Sequence, residues 1–317
     1  MKYLILLTIF FIIHLLYSKI ADKFDIIDKP NLRSSHKDRT VQGGGIIFFI
    51  GVLVYFLMNG FQYPWFFAGL TLITAISFAD DLRSNSVILR LFVHFAATAL
   101  MFYQWEIFSY SWYFIAAGLV FCAGILNAYN FMDGINGMTG GYSLVLLLTL
   151  LYINNCQVLF IDNELLYIVC LTLLVFSFFN FRTKAKCFAG DTGAMSVAFI
   201  LVFLLGSLII KTEDFSYIIL LSVYGVDSVL TIIHRLILKE NILVAHRLHI
   251  YQIMANELDI PHIFVSLIYM LLQTMIIVGF FIAFEYRYLY IVIIMLLLST
   301  GYILFIKKYF TLFHLSE

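Results

Sequence analysis

The stretch Asn127–Gly141, NAYNFMDGINGMTGG, lies between two apolar runs and decides how the rest of the chain is read. It packs three asparagines, one aspartate and four glycines into fifteen positions. Polar groups at this density find no partners in hydrocarbon, so the stretch belongs at a helix end, in water or in a protein-lined cavity. Gly134 follows Asp133 directly, which lets the backbone turn sharply and aim its amides at whatever the carboxylate binds. The stretch reads as the floor of an active site set between membrane helices.

Working outward, composition supports that reading. The 317 residues are 63% hydrophobic, 18% aromatic and only 12% charged, far more apolar than a soluble domain of this size. Apolar runs close to the length that crosses a bilayer recur along the chain. The expected fold is an all-α polytopic membrane protein, one integral membrane domain over residues 1–317. Eleven spans are expected: Met1–Ser18, Gly43–Met58, Pro64–Phe78, Ile88–Tyr103, Trp112–Ala128, Gly141–Ile153, Leu165–Phe179, Ala194–Ile210, Tyr217–Ile233, Ile263–Phe284 and Leu289–Ile306. The first has no small-residue cleavage site after it and reads as a helix rather than a removed signal. Cys122, Cys156, Cys170 and Cys187 show neither ligand spacing nor a disulfide framework and are expected to be buried thiols.

Eleven crossings place the termini on opposite sides. Sixteen of the 19 lysines and arginines then fall on one side, at Lys19–Gln42, around Arg83 and Arg90, at Arg182–Lys186, at Arg235–Arg247 and at Lys307–Lys308. The positive-inside rule makes that side cytoplasmic, with the N-terminus outside and the C-terminus inside. The same side carries the chemistry. FADDLRSNS has Asp80 and Asp81 adjacent; NFRTKAKCFAGDTGAM has Lys184, Lys186 and Asp191 between Gly190 and Gly193; HRLILKENILVAHRLHIYQ has His234, Arg235, His246, Arg247 and His249. Asp80, Asp81, Asp133 and Asp191 would repel one another if gathered bare, so a cation is expected among them. Oxygen ligands favour Mg²⁺, with Mn²⁺ as its substitute, over Zn²⁺. The basic and imidazole groups would meet the remaining charge of substrate phosphates, and metal, phosphates and cations together describe phosphoryl transfer.

Five motifs in order then carry a resemblance: RSSH with GGGIIF (Arg33–His36, Gly43–Phe48), Asp80–Asp81, NAYNFMDGING, FAGDTG (Phe188–Gly193) and AHRLHIYQ (Ala245–Gln252). The set resembles the polyprenyl-phosphate N-acetylhexosamine-1-phosphate transferases of glycosyltransferase family 4. The resemblance implies attack by undecaprenyl phosphate on the β-phosphorus of a UDP-sugar, releasing UMP. Asp80, Asp81 and Asp133 match the catalytic positions, Asp80 as base on the lipid phosphate, and Asn130 and Asp191 match the metal positions. Asn136, Lys186, His246, Arg247 and His249 form the expected substrate-binding set. The implied partners are a UDP-amino-sugar, polyprenyl phosphate and membrane lipid, with no nucleic acid and a homodimer left open; the implied location is a bacterial inner membrane.

The departures from the family pattern bear on the sugar. Asn136 stands where many relatives have a second aspartate, and Tyr251 and Gln252 stand where other branches have histidines, which brings the loop closer to the branch that starts O-antigen or capsule units. Plainer roles compete at each site. Asp191 can cap the following helix, Asn127 and Asn130 can pack helices together, and His14 and His94 read as packed histidines. Asp227 lies within a span, where an ionised carboxylate costs roughly 2.5–3.5 kcal/mol, so it needs partners. A transporter of a small solute or lipid-linked sugar and an inactive partner of an assembly complex are the rival readings.

Overall fold

The computed structural model describes residues 1–28, 39–83, 85–241 and 247–313. Every expected apolar run is helical: α1 (Lys2–Lys23), α2 (Ile46–Met58), α3 (Pro64–Leu82), α4 (Val87–Gln104), α5 (Trp112–Met132), α6 (Met138–Cys156), α7 (Asn163–Asn180), α8 (Gly190–Thr212), α9 (Ser222–Ile237), α11 (His262–Ile282) and α12 (Arg287–Phe313), with a short α10 (Ile250–Asn256) between α9 and α11. Local chemistry sets several of the starts. Pro64 opens α3, where its missing N–H is harmless. Ser86 caps α4 by accepting from the Leu89 N–H, and Asp162 caps α7 by accepting from the Glu164 N–H.

Two features differ from the apolar-run reading. Among the described residues nine helical segments are long and apolar enough to cross a bilayer; α2 has 13 residues, and α6 is not among the nine. The glycine- and asparagine-bearing ends of α6 explain its lower apolarity. The run leading into α9 begins as a 3-10 turn over Phe215–Leu221, so that span changes helical type at Ser222. Cys122 and Cys187 are buried as expected, whereas Cys156, at the end of α6, is exposed.

The centre of this polytopic membrane protein is α8, whose residues from Thr192 to Leu205 are buried, against α2, α3, α5 and α6. Phe66 of α3 stacks on Phe203 of α8 at 3.9 Å between centroids. At the rim, α12 leaves Leu289, Val292, Leu296 and Leu304 exposed, as a lipid-facing helix does. Alternation along the chain brings the ends of α3, α5 and α7 together with the starts of α4, α6 and α8. A two-stranded antiparallel hairpin, β1 (Ile27–Asp28) and β2 (Thr40–Val41), lies at that same end, Val41 bridging to Cys187.

Candidate active site

The site starts from a close backbone contact. Gly44 N–H donates to Phe188 O at 2.9 Å, Gly45 N–H to Ala189 O at 3.2 Å, and Phe188 N–H to Val41 O at 2.8 Å. This lays the Gly43–Gly45 turn along the entry to α8 so tightly that a Cβ on Gly45 would sit 2.2 Å from Gly193 Cα. Gly190 has φ +68°, open to glycine at little cost, and a Cβ there would meet Asp81 Oδ2 at 2.6 Å.

Asp81 explains why that approach is needed. Its carboxylate accepts from the Asp191 N–H (2.9 Å), the Thr192 N–H (3.0 Å), the Thr192 hydroxyl (2.5 Å) and the Gln42 amide (2.8 Å). It therefore caps α8 from the end of another helix, where an anion is favoured by the orphan N–H groups and the helix dipole. The plainer expectation for Asp191 as N-cap gives way to this arrangement: Ala189 holds the N-cap position and Asp191 is the second residue of α8.

With Asp81 holding the helix start, the Asp191 side chain faces Asp80, Asn130 and Arg90. Asp80 and Asn130 lie within hydrogen-bonding reach of the Asp191 carboxyl. Arg90 Nη1 donates to Asp80 Oδ2 at 2.7 Å and lies 3.8 Å from Asp191 Oδ2, while the Asn85 N–H holds Asp80 Oδ1 at 2.5 Å. Arg90 Nε is buried with no acceptor among the described residues. In the sequence Arg90 counts only as a positive charge on the cytoplasmic side; its position one turn into α4, facing Asp80 and Asp191, is visible only in the fold.

Two spaces meet at this point. A polar cavity of ≈ 240 Å³ is lined by Asn130, Asp133, Asn136, Asp191 and, from other elements, Gln42, Asn180, Gln252 and His262. A narrower cleft of ≈ 50 Å³ is lined by Asp80, Arg90, His94 and Leu91, and again by Asn130 and Asp191. Ile88 and Phe92, on the same helix α4 that lines the cleft, are exposed apolar side chains.

Asp133 lies at the end of α5 and faces the larger cavity. Burial pushes its carboxyl up to about 7, the Asp81 charge adds to the rise, and the Thr139 hydroxyl opposes it. Asn136 braces the floor: its amide donates to Arg182 O (2.9 Å) and Thr183 O (3.2 Å), and the Ser266 hydroxyl donates to Asn136 O (2.8 Å). Gly137 N–H donates to Asn180 Oδ1 at 2.7 Å.

The structure thus brings together Asp80, Asp81, Asn130, Asp133, Asn136 and Asp191. Lys186 is placed apart, exposed over a separate depression with Asp22, Asp25 and Arg39. His249 is 2% exposed and its ring lies against Asp227, so it faces the interior. Arg247 is partly buried at the head of the same segment. His246 and the Arg33–His36 motif lie outside the described residues.

The sequence profile described as glycosyl transferase family 4 matches residues 63–209, the segment that carries Asp80, Asp81, Asn130, Asp133 and Asp191. Over that segment the chain is similar to glycosyl transferase family 4. The chain is 27% identical over 268 residues to a Bacillus subtilis (strain 168) protein named "Probable undecaprenyl-phosphate N-acetylglucosaminyl 1-phosphate transferase", the match covering 78% of this chain and 74% of the relative. It is 28% identical over 207 residues to the Yersinia pestis "Undecaprenyl-phosphate alpha-N-acetylglucosaminyl 1-phosphate transferase", and 26% over 208 residues to the protein of that name from Escherichia coli (strain K12). Each of these last two matches spans 59% of this chain and 56% of the relative.

Proposed function

We propose that the protein transfers a sugar 1-phosphate from a UDP-N-acetylhexosamine to undecaprenyl phosphate, giving the undecaprenyl-diphospho-sugar and UMP. The observation that carries this reading is that Asn130 and Asp191 line both spaces at once. A reaction between a water-soluble donor and a lipid-borne acceptor needs two entrances and one meeting point, and the polar cavity and the cleft beside α4 supply them. The names of the relatives supply the substrate class.

The donor diphosphate occupies the larger cavity, between Asp133, Gln252 and His262. The lipid phosphate enters the cleft, where Arg90 meets its charge with the Nε–H that has no partner among the described residues. A lipid phosphate oxygen forms a bond to the β-phosphorus, the bond between the β-phosphorus and the bridging oxygen breaks, and UMP leaves with that electron pair. Asp80, held by Arg90 and the Asn85 N–H, keeps the acceptor phosphate deprotonated and turned toward the donor.

The donor set at the meeting point fits Mg²⁺ or Mn²⁺. Asp191, Asp80 and the Asn130 amide offer only oxygen, and among the described residues no three His, Cys, Asp or Glu side chains gather as a ligand cluster. A hard cation held by one or two carboxylates completes its shell with water and substrate phosphate. Bound there, the metal would supply charge neutralisation of the diphosphate. In this reading the protein works in a bacterial inner membrane, on its cytoplasmic face, at the first step of a surface polysaccharide.

The test is UMP release by the purified protein in detergent, with undecaprenyl phosphate, Mg²⁺ and UDP-N-acetylglucosamine, UDP-N-acetylgalactosamine or another UDP-amino-sugar. The proposal requires UMP that depends on both lipid and metal and is lost in Asp191→Asn. UMP formed equally without lipid, or an Asp191→Asn variant with full activity, would sink it.

A further inference from the structure

We infer that Asp227 is a positioning residue, which sets one wall of the donor cavity from inside the bundle through a strut running from α12 to α10. The Asp227 carboxylate is 3% exposed on α9, yet it is fully engaged. Oδ1 accepts from the Ile250 N–H (3.2 Å) and the Thr231 hydroxyl (3.2 Å) and lies 3.3 Å from His249 Nδ1; Oδ2 accepts from the Tyr269 hydroxyl (2.5 Å). One side chain thereby joins α9, the start of α10 and α11.

The strut extends at both ends. Outward, the Thr231 and Tyr302 hydroxyls lie 3.0 Å apart, and Tyr302 and Ile306 of α12 form a small apolar cluster with Ile253 of α10. Inward, His249 is the N-cap of α10 and its N–H donates to Gln252 Oε1 at 3.3 Å in a reciprocal capping box. Gln252 is the residue of this segment that lines the donor cavity. The Tyr251 hydroxyl donates to Phe131 O (2.7 Å), fastening the segment to the helix that ends at Asp133.

The arrangement assigns different work to neighbouring residues. His249 is buried and transmits position, whereas Gln252 touches the cavity. An aspartate within a span is expensive unless its neighbours satisfy it, and here several elements of the fold do so while holding a segment of only seven helical residues in place. A helix this short has little stability of its own. Without the strut, the Tyr251–Phe131 hydrogen bond and the packing of Tyr251 and Ile253 are what remain to hold it.

This inference rests on the donor cavity being the sugar-nucleotide site, and its test separates the two ideas. Asp227→Asn preserves volume but turns one acceptor oxygen into a donor, so either the Ile250 N–H or the Tyr269 hydroxyl loses its acceptor. Tyr302→Phe removes the outermost contact and serves where the first variant does not fold. Amide hydrogen exchange is the first readout: residues 247–256 exchange faster in the variant while α3, α5 and α8 keep wild-type rates. Steady-state kinetics is the second: KM for the UDP-sugar rises on the order of tenfold or more while KM for undecaprenyl phosphate is unchanged. Wild-type exchange at 247–256, acceleration spread through the whole bundle, or equal rises in both KM values would overturn it. Should the wild-type protein release no UMP, the transfer reading fails, and the exchange measurement still decides whether the strut exists.

Discussion

Gly45→Ala is the substitution whose outcome the geometry defines most sharply. The added Cβ would lie 2.2 Å from Gly193 Cα and 3.1 Å from both Ala189 O and Gly193 N. Each neighbour is backbone, so no side chain can swing aside and the Gly43–Gly45 turn must move away from α8. Overpacking typically costs about 1–3 kcal/mol, and the upper end applies because relief requires shifting main chain. The shift also stretches the Gly44–Phe188 and Gly45–Ala189 hydrogen bonds, and with them the turn that presents Asp191. Thermal unfolding in detergent with EDTA, followed by transfer activity, reads both effects. A melting midpoint several degrees below wild type with activity down by about tenfold or more is expected. Gly124→Ala is the control, because a Cβ at that position meets nothing within 4 Å; it should leave both readouts at or slightly above wild type. A Gly45→Ala protein with wild-type midpoint and activity would refute the close approach and the role assigned to it.

The remaining expectations concern charge. Arg90→Met removes the cation between Asp80 and Asp191 and should raise KM for undecaprenyl phosphate by about tenfold or more, with a smaller change for the UDP-sugar; equal changes would deny the cleft its role. Lys186→Ala should leave both KM values within about twofold, since the side chain is exposed away from the cavity; a large loss would return Lys186 to the site. Asp133 titrates at about 7 when folded, above the ordinary aspartate value near 3.9. The folded form therefore binds this proton more tightly than the unfolded chain. Its contribution is fully present below about pH 4 and is lost as pH rises through about 7. In EDTA the melting midpoint should fall across that window, and Asp133→Asn should flatten the decline; an unchanged slope would remove Asp133 as its source.

The apolar runs were legible because hydrocarbon selects on composition and length, which a chain displays openly. The Gly- and Asp-rich stretches were legible as sites for the same reason, since a dense polar stretch between spans must find water, a ligand or a protein partner to satisfy it. What each residue does there was less legible, because it depends on neighbours far away along the chain. Asp80 and Asp81 look equivalent in sequence, yet Asp81 is turned to the start of α8 while Asp80 faces the cleft with Arg90. Lys186 follows the basic run of its loop outward, whereas Asp191, five residues on, is drawn inward by the α8 start. His249 reads as a substrate-binding residue by motif, but Asp227, a residue whose purpose within its span the sequence left open, faces it at 3.3 Å. The glycines of Gly43–Gly45 and Gly190–Gly193 appear as two motifs and prove to be one contact.

In the proposed reaction the donor's β-phosphorus moves to a lipid phosphate at the meeting point of the two cavities. That transfer is tested most directly with a UDP-amino-sugar carrying label on the β-phosphate alone, incubated with the protein, Mg²⁺ and undecaprenyl phosphate and then partitioned between organic and aqueous phases. Labelled lipid and unlabelled UMP are expected, both absent in Asp191→Asn. Sugar arriving on the lipid while the label remains in water as UDP would contradict the proposed reaction, because the bond broken would then be the one between the sugar and the β-phosphate.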